Sequence, residues 1–364
     1  MRLLSGRINL GGLFGILAVI WCGIVSVPGQ EPPAPEKMGW QMQSSGVISR
    51  LSSVFFIDRQ RGWIAGSNGT LLLTEDGGLK WRRLSLPDHQ KRELVRDAWF
   101  FDAERGCLLG EYGTVSRRTP QATGPRVFLL LNGNTGWTEG RPARLPVEKT
   151  EKVADKPADK PAPDAGRSPD PLLLRISFVN PQLGWACGES GMIQATEDGG
   201  QTWQIQATPT RKLLYDVMGV NEQDAWIVGA GGTILHTSDG GQHWGFRDSG
   251  VTEALRAVHF VDSTHGWAVG ANGVIIATTD GGDNWRKQDS GASQVLNDLF
   301  FVSPKEGWIA GDRGLLLHTR DGGQTWEESQ VATNASLTRL FFTAPDCGWV
   351  IGSNGAVFKY GPNE

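Results

Sequence analysis

A chain of 364 residues would ordinarily divide into two or so domains, but 49 glycines and 15 tryptophans are far from average usage and point to a repeated unit. With 35 basic against 39 acidic residues the formal charge is −4, so no polyanion-binding surface follows from the total, and nucleic acid is not an expected partner. Beyond Gln30 the cysteines are Cys107, Cys187 and Cys347. An odd number on different repeats does not read as a disulfide framework; it reads as small residues buried in strands or turns.

At the start of the chain, Arg2 and Arg7 flank the approach to an uncharged, mostly apolar run from Leu10 to Val27. This is the pattern of an export signal. The run is long for a cleaved segment and at the lower limit for a membrane span, so residues 1–29 read as a signal peptide or a retained anchor. Cys22 follows Trp21, whereas a lipid-attachment site wants a small residue there. Residues 30–38 form a linker.

Five stretches then share Thr, Asp, Gly-Gly and Trp at fixed offsets: 74–81, 196–203, 237–244, 278–285 and 319–326. Trp185, Trp226, Trp267, Trp308 and Trp349 recur at one constant interval, a pitch that marks equivalent stacked units. Between turn signals the segments are four to eight residues long and rich in Val, Ile, Leu and Phe, which predicts strands rather than helices. In the unit that begins at Leu255, strands are expected over 255–260, 267–269, 274–278 and 285–287, with Asn272-Gly273 supplying the positive φ of a tight turn. Four short antiparallel strands per unit make a propeller blade.

Between Trp63 and Trp185 one imperfect copy fits: residues 100–107 parallel 56–63 with Cys107 in the Trp place, and its hairpin survives as 132–137, with Asn132 for Asp. It carries an insertion, 141–171, rich in Pro, Lys and Asp, which cannot bury enough apolar surface to order itself and is expected to be a disordered loop. The last unit stops at Tyr360, before its fourth strand. Elsewhere the hairpin Trp precedes the Leu of the next inner strand by one fixed step, from Trp203 to Leu214, Trp244 to Leu255, Trp285 to Leu296 and Trp326 to Leu337. Trp40 precedes Leu51 by the same step. Residues 40–43 are therefore expected to pair with the last unit near 356–360 and close the ring, which removes free sheet edges. Inner-strand positions at Leu51, Val95, Leu173, Leu214, Leu255, Leu296 and Leu337 count seven blades. The expected fold is all-β: a seven-bladed β-propeller of four-stranded antiparallel blades over 39–361, one domain and a monomer.

The recurring residues read as structural. Asp76, Asp198, Asp239, Asp280 and Asp321 can accept backbone N–H groups of their own turns, and stacking of Trp81, Trp203, Trp244, Trp285 and Trp326 between blades would bury roughly 150–250 Å² each. Five identical sites imply a mechanical need, so no catalytic residue, metal or cofactor is assigned to them. Function is sought where equivalent positions differ. On the inner strands a variable pair stands between two apolar positions: Ser52-Ser53, Arg96-Asp97, Leu174-Arg175, Tyr215-Asp216, Arg256-Ala257, Asn297-Asp298 and Thr338-Arg339. Inner strands line a propeller's channel, so Arg96, Arg175, Arg256 and Arg339 are candidates for a cationic ring that takes an acidic segment of a partner. Asp97, Asp216 and Asp298 would partly neutralise it, and the plainer alternative is that a wet channel needs polar walls.

The unit Gly-Trp, two further glycines, a strand and Thr-x-Asp-Gly-Gly-x-x-Trp resembles the Asp-box, or BNR, repeat, in the form found in the photosystem II stability and assembly factors (Ycf48/HCF136-like). The likeness runs from Trp40 to Tyr360 apart from the insertion. It implies a non-enzymatic, exported propeller that binds a membrane-protein subunit during assembly of a larger complex. Its place would be the thylakoid lumen, the periplasm or the extracellular side, with membrane attachment through 10–27 left open. The alternative is a sialidase-like glycoside hydrolase or a carbohydrate-binding propeller, since Asp-box hairpins also occur there. Against it, the Phe/Tyr-Arg-Ile-Pro signature of sialidases is absent and the sequence has only Tyr112, Tyr215 and Tyr360 to offer as a nucleophile.

Overall fold

Short β-rich segments divided by glycine turns form seven four-stranded antiparallel sheets in the computed structural model, which describes residues 37–86, 94–111, 125–130, 137–140, 171–329 and 331–362. The N-terminal run 10–27, the hairpin 132–136 and the insertion 141–170 lie outside the described residues. In chain order the innermost strands of blades one to seven are Leu51–Phe56, Leu94–Phe100, Leu173–Phe178, Leu214–Gly219, Leu255–Phe260, Leu296–Phe301 and Leu337–Ala344. The fold is the expected all-β, seven-bladed propeller.

Closure follows the spacing argument. The N-terminal strand Met38–Ser44 is the outermost strand of the seventh blade and pairs antiparallel with Ala356–Pro362, Trp40 opposite Tyr360. The Trp40 ring lies 5.2 Å from Tyr360 and 5.9 Å from Phe342, centroid to centroid, so the first and last strands share one apolar contact.

The core layers lie between blades, and five of them hold two tryptophans with different jobs, while between blades two and three Cys107 takes the place of one. Where the next blade's inner strand offers a Phe in the sixth place, counted from Leu51, Val95 and their equivalents, the second-strand Trp stacks flat on it: Trp349 on Phe56 at 3.5 Å, Trp267 on Phe301 at 3.6 Å, Trp63 on Phe100 at 3.9 Å. The hairpin Trp sits edge-on in the same layer: Trp285 meets Phe260 of its own blade at 5.8 Å and 88° and Trp226 of the preceding blade at 5.9 Å and 72°. A face and an edge of the same ring are thereby both used, the two arrangements an aromatic quadrupole favours. Cys107, Cys187 and Cys347 are buried and free, and burial pushes the thiols of Cys107 and Cys187 well up.

The Asp-box hairpins are local hydrogen-bond cages. In the fifth blade Thr278 Oγ1 donates to Asp280 Oδ1 at 2.7 Å and accepts from Gly282 N–H at 2.9 Å, while Asp280 Oδ1 also accepts from Asn284 N–H at 2.9 Å. The same Thr-to-Asp bond recurs at Asp76, Asp198, Asp239 and Asp321. Hydrogen bonds from Asn284 and Thr325 draw the carboxyls of Asp280 and Asp321 down to about 2, a range useless for a general acid. Gly282, at φ +83°, brings its turn so close to the preceding blade that a Cβ would sit 2.0 Å from the Trp226 ring.

Candidate functional site

The innermost strand of a blade is a sheet edge, and its free N–H and C=O groups need partners. In this ring the neighbouring blade supplies them. A bulge at the start of each inner strand, for example between Leu51 and Ser53, leaves the second residue out of register, so the second and third residues fall in different layers of the channel. Three layers result.

The first layer is a mouth with a cavity of about 310 Å³, lined by second-position residues together with Arg50, Leu94 and Arg175. Arg50, Arg96, Arg175 and Arg256 bring four guanidinium groups to it, and among the described residues no carboxylate lines it. Arg256 is positioned by a cation–π contact, its guanidinium 5.0 Å from the Tyr215 ring centroid. Asn297 lines the same mouth and donates to Asp312 Oδ1 and to the Leu337 carbonyl, both at 2.9 Å, tying blade six to blade seven.

The second layer is a charged knot of third-position residues. Asp97, Asp216 and Asp298, on blades two, four and six, each accept a backbone N–H from the following blade: Ile176 at 3.1 Å, Val258 at 3.0 Å and Leu340 at 2.7 Å. At the equivalent place in blade one Ser53 Oγ does the same work, accepting from Ala98 N–H at 3.1 Å. Asp97 also accepts from Ser53 Oγ at 2.8 Å. Arg339 reaches all three carboxylates, at 3.4 Å from Asp298, 3.5 Å from Asp97 and 4.0 Å from Asp216, and Arg175 stands 3.6 Å from Asp216. Burial pushes the Asp216 carboxyl up to about 6 and that of Asp298 up as well, with Arg339 opposing the rise in both. For Arg339 burial disfavours the charge, but the three carboxylates outweigh it and hold the guanidinium protonated.

The third layer, at the other mouth, is aromatic. Fifth-position rings touch in an unbroken arc over five blades: Trp99 to Phe55 at 5.1 Å, Phe55 to Phe341 at 5.0 Å, Phe341 to Phe300 at 5.7 Å and Phe300 to His259 at 4.6 Å. With Met218 they enclose a cavity of about 160 Å³ floored by Arg339, Asp216 and Asp298. Burial draws the His259 imidazole down to about 4, so it is neutral.

The seven residues singled out from the sequence are therefore divided. Arg96, Arg175 and Arg256 share the cationic mouth, joined by Arg50, which precedes the first inner strand and was missed because only the variable pair was compared. Arg339 sits one layer deeper, 19% exposed and committed to Asp97, Asp216 and Asp298. The aromatic mouth was missed altogether, although five of its seven fifth-position residues are aromatic in the bare sequence.

A model of the photosynthesis system II assembly factor YCF48 family matches residues 33–118, 168–248, 243–335 and 292–361, which is most of the chain. The photosystem II assembly lipoprotein Ycf48 of Synechococcus sp. (strain CC9902) is 23% identical over 219 residues, 59% of this chain and 53% of the relative, so the match spans about half of that relative's length. Among solved structures, YCF48 bound to a D1 peptide superposes with a TM-score of 0.68 at 22% identity, covering 91% of this chain and 99% of the other. YCF48 from Cyanidioschyzon merolae gives 0.68 at 19% identity, covering 90% and 100%.

Proposed function

Because this chain belongs to the photosystem II assembly factor Ycf48 family, we propose that it is a non-enzymatic propeller that assists assembly of a membrane protein complex by holding an acidic segment of a subunit at its arginine-lined mouth. The observation that carries this reading is the convergence of Arg50, Arg96, Arg175 and Arg256 from four blades on one cavity that no carboxylate lines among the described residues. Guanidinium groups pair with carboxylates in a bidentate fork, and a same-sign cluster in a concave, low-dielectric site concentrates the field on an incoming anion. The related structure with a bound D1 peptide supports a peptide as occupant. Relatives named as lipoproteins support export to the lumenal or periplasmic side, in line with Arg2, Arg7 and the apolar run 10–27.

The absence of an enzymatic role is part of the proposal. Asp97, Asp216 and Asp298 are the acids of the channel, and each already accepts a backbone amide of the next blade. A general acid must be free to pass its proton to substrate. Capture from detergent-solubilised membranes of the source organism tests the reading. The wild-type chain is expected to retain a membrane subunit that the Arg96→Glu/Arg256→Glu variant loses, with an unchanged thermal melt. Equal recovery by both would overturn the assignment.

A further inference from the structure

We propose that the aromatic mouth is a second binding site, and that it seats a weakly hydrated cation, the guanidinium group of an arginine side chain from a protein partner. Phe55, Trp99, His259, Phe300 and Phe341 are half-buried, whereas the residues before and after each of them on the inner strands are buried, so it is these rings that face the opening. The rings touch one another in an arc and, with Met218, form the wall of the cavity. A wall of aromatic rings attracts a cation through the ring quadrupoles and gives an anion no donor to pair with.

The floor supplies the charge. Asp216 and Asp298 line this cavity and not the arginine mouth, and their side chains are 8% and 6% exposed. In the knot three carboxylates stand against two guanidinium groups, those of Arg339 and Arg175, which leaves one negative charge unbalanced beneath the rings. The Asp216 carboxyl, pushed up to about 6, is largely ionised at pH 7.5. Arg339 lines the floor as well, but all three carboxylates lie within 4.0 Å of it, so an incoming cation meets their sum and not the Arg339 charge alone. Arg50, Arg96 and Arg256 stand at the opposite mouth, where solvent screens them.

The wall decides between cations. An ammonium is compact, strongly hydrated and brings three N–H donors to a wall that offers rings rather than acceptors. A guanidinium is planar, more weakly hydrated and stacks on aromatic faces. The cavity of about 160 Å³ is near the roughly 150 Å³ that holds one benzene ring, room for one planar head group. The two cavities share no lining residue, so this inference stands or falls apart from the function proposed above.

Saturation-transfer NMR titration of the purified chain at pH 7.5 with n-butylguanidinium, its neutral isostere n-butylurea and n-butylammonium tests it. Wild-type protein is expected to bind n-butylguanidinium saturably, n-butylurea about tenfold more weakly, and n-butylammonium less tightly than n-butylguanidinium. Asp216→Asn keeps an acceptor for the Val258 N–H but removes one charge from the floor. It should erase most of the advantage of n-butylguanidinium while n-butylurea binds as before. Phe341→Leu keeps an apolar side chain of similar bulk without a ring, and should weaken n-butylguanidinium more than n-butylurea. Equal binding of n-butylguanidinium and n-butylurea, n-butylammonium binding as tightly as n-butylguanidinium, or an advantage untouched by Asp216→Asn would each overturn the proposal, even if Phe341→Leu failed to fold.

Discussion

Arg339 of the seventh blade lies 3.5 Å from Asp97 of the second, a contact across the channel rather than along any strand. Together with its contacts to Asp298 and Asp216 it makes one guanidinium the counter-charge for three blades that do not pack against one another directly. The ring is therefore fastened at its centre as well as at its N-terminal closure.

Arg339→Met should destabilise the propeller by about 3–5 kcal/mol at pH 7, because it strands buried carboxylates without their partner. Denaturant unfolding measures this, and the loss should shrink at pH 5, where Asp216 takes up a proton. Adding Asp298→Asn should restore part of the stability; strictly additive losses would show that the two groups do not interact.

The raised carboxyl of Asp216 fixes the sign of a pH effect. A carboxyl shifted from 3.8 to about 6 on folding binds its proton more tightly in the folded state. Its contribution is fully present below about 4 and is lost as pH rises through about 6, amounting to about 2–3 kcal/mol. Comparing wild type with Asp216→Asn from pH 4 to 7 isolates it, since Asn can still accept the Val258 N–H. The wild type should lose stability relative to the variant across this window.

Two glycines separate crowding from backbone strain. Gly282→Ala places a methyl 2.0 Å from the Trp226 ring at φ +83°, whereas Gly250→Ala, at φ +66°, meets nothing within 4 Å. The second should cost about 1–2 kcal/mol from the left-handed backbone alone, and the first visibly more, read from thermal melts.

Ring closure depends on Trp40. Trp40→Ala removes the contacts to Tyr360 and Phe342 and should cost about 3 kcal/mol. Hydrogen exchange should show the loss first in Met38–Ser44 and Ala356–Pro362, the strands that this ring joins.

The blade count and the closure were legible in the sequence because a repeat states its own geometry: the step from Trp40 to Leu51, equal to that from Trp203 to Leu214, placed the first strand in the last blade. The channel was less legible. Arg256 and Arg339 look alike in the bare sequence, both in the variable pair. The bulge after the first inner-strand residue puts Arg256, in the second position, at the mouth and Arg339, in the third, in the knot, while Arg175, also third, reaches both, and the pattern of residues does not show this. The acids seemed to dilute a cationic ring; in the structure they serve the amides of Ile176, Val258 and Leu340, a need created by the neighbouring blade and invisible within one strand. The aromatic arc has a sequence signature, at Phe55, Trp99, His259, Phe300 and Phe341, but a comparison confined to the polar pair passes over it.

Fluorescence anisotropy of a labelled acidic peptide from a co-purifying subunit, titrated with the purified propeller, reports directly on the arginine mouth. Binding should weaken steeply with added salt, as expected for charge pairing at an accessible cavity. It should be lost in Arg96→Glu/Arg256→Glu, and persist in Arg59→Glu, an exposed change away from the channel lining. Binding that ignores salt and survives reversal of both mouth arginines would contradict the assignment.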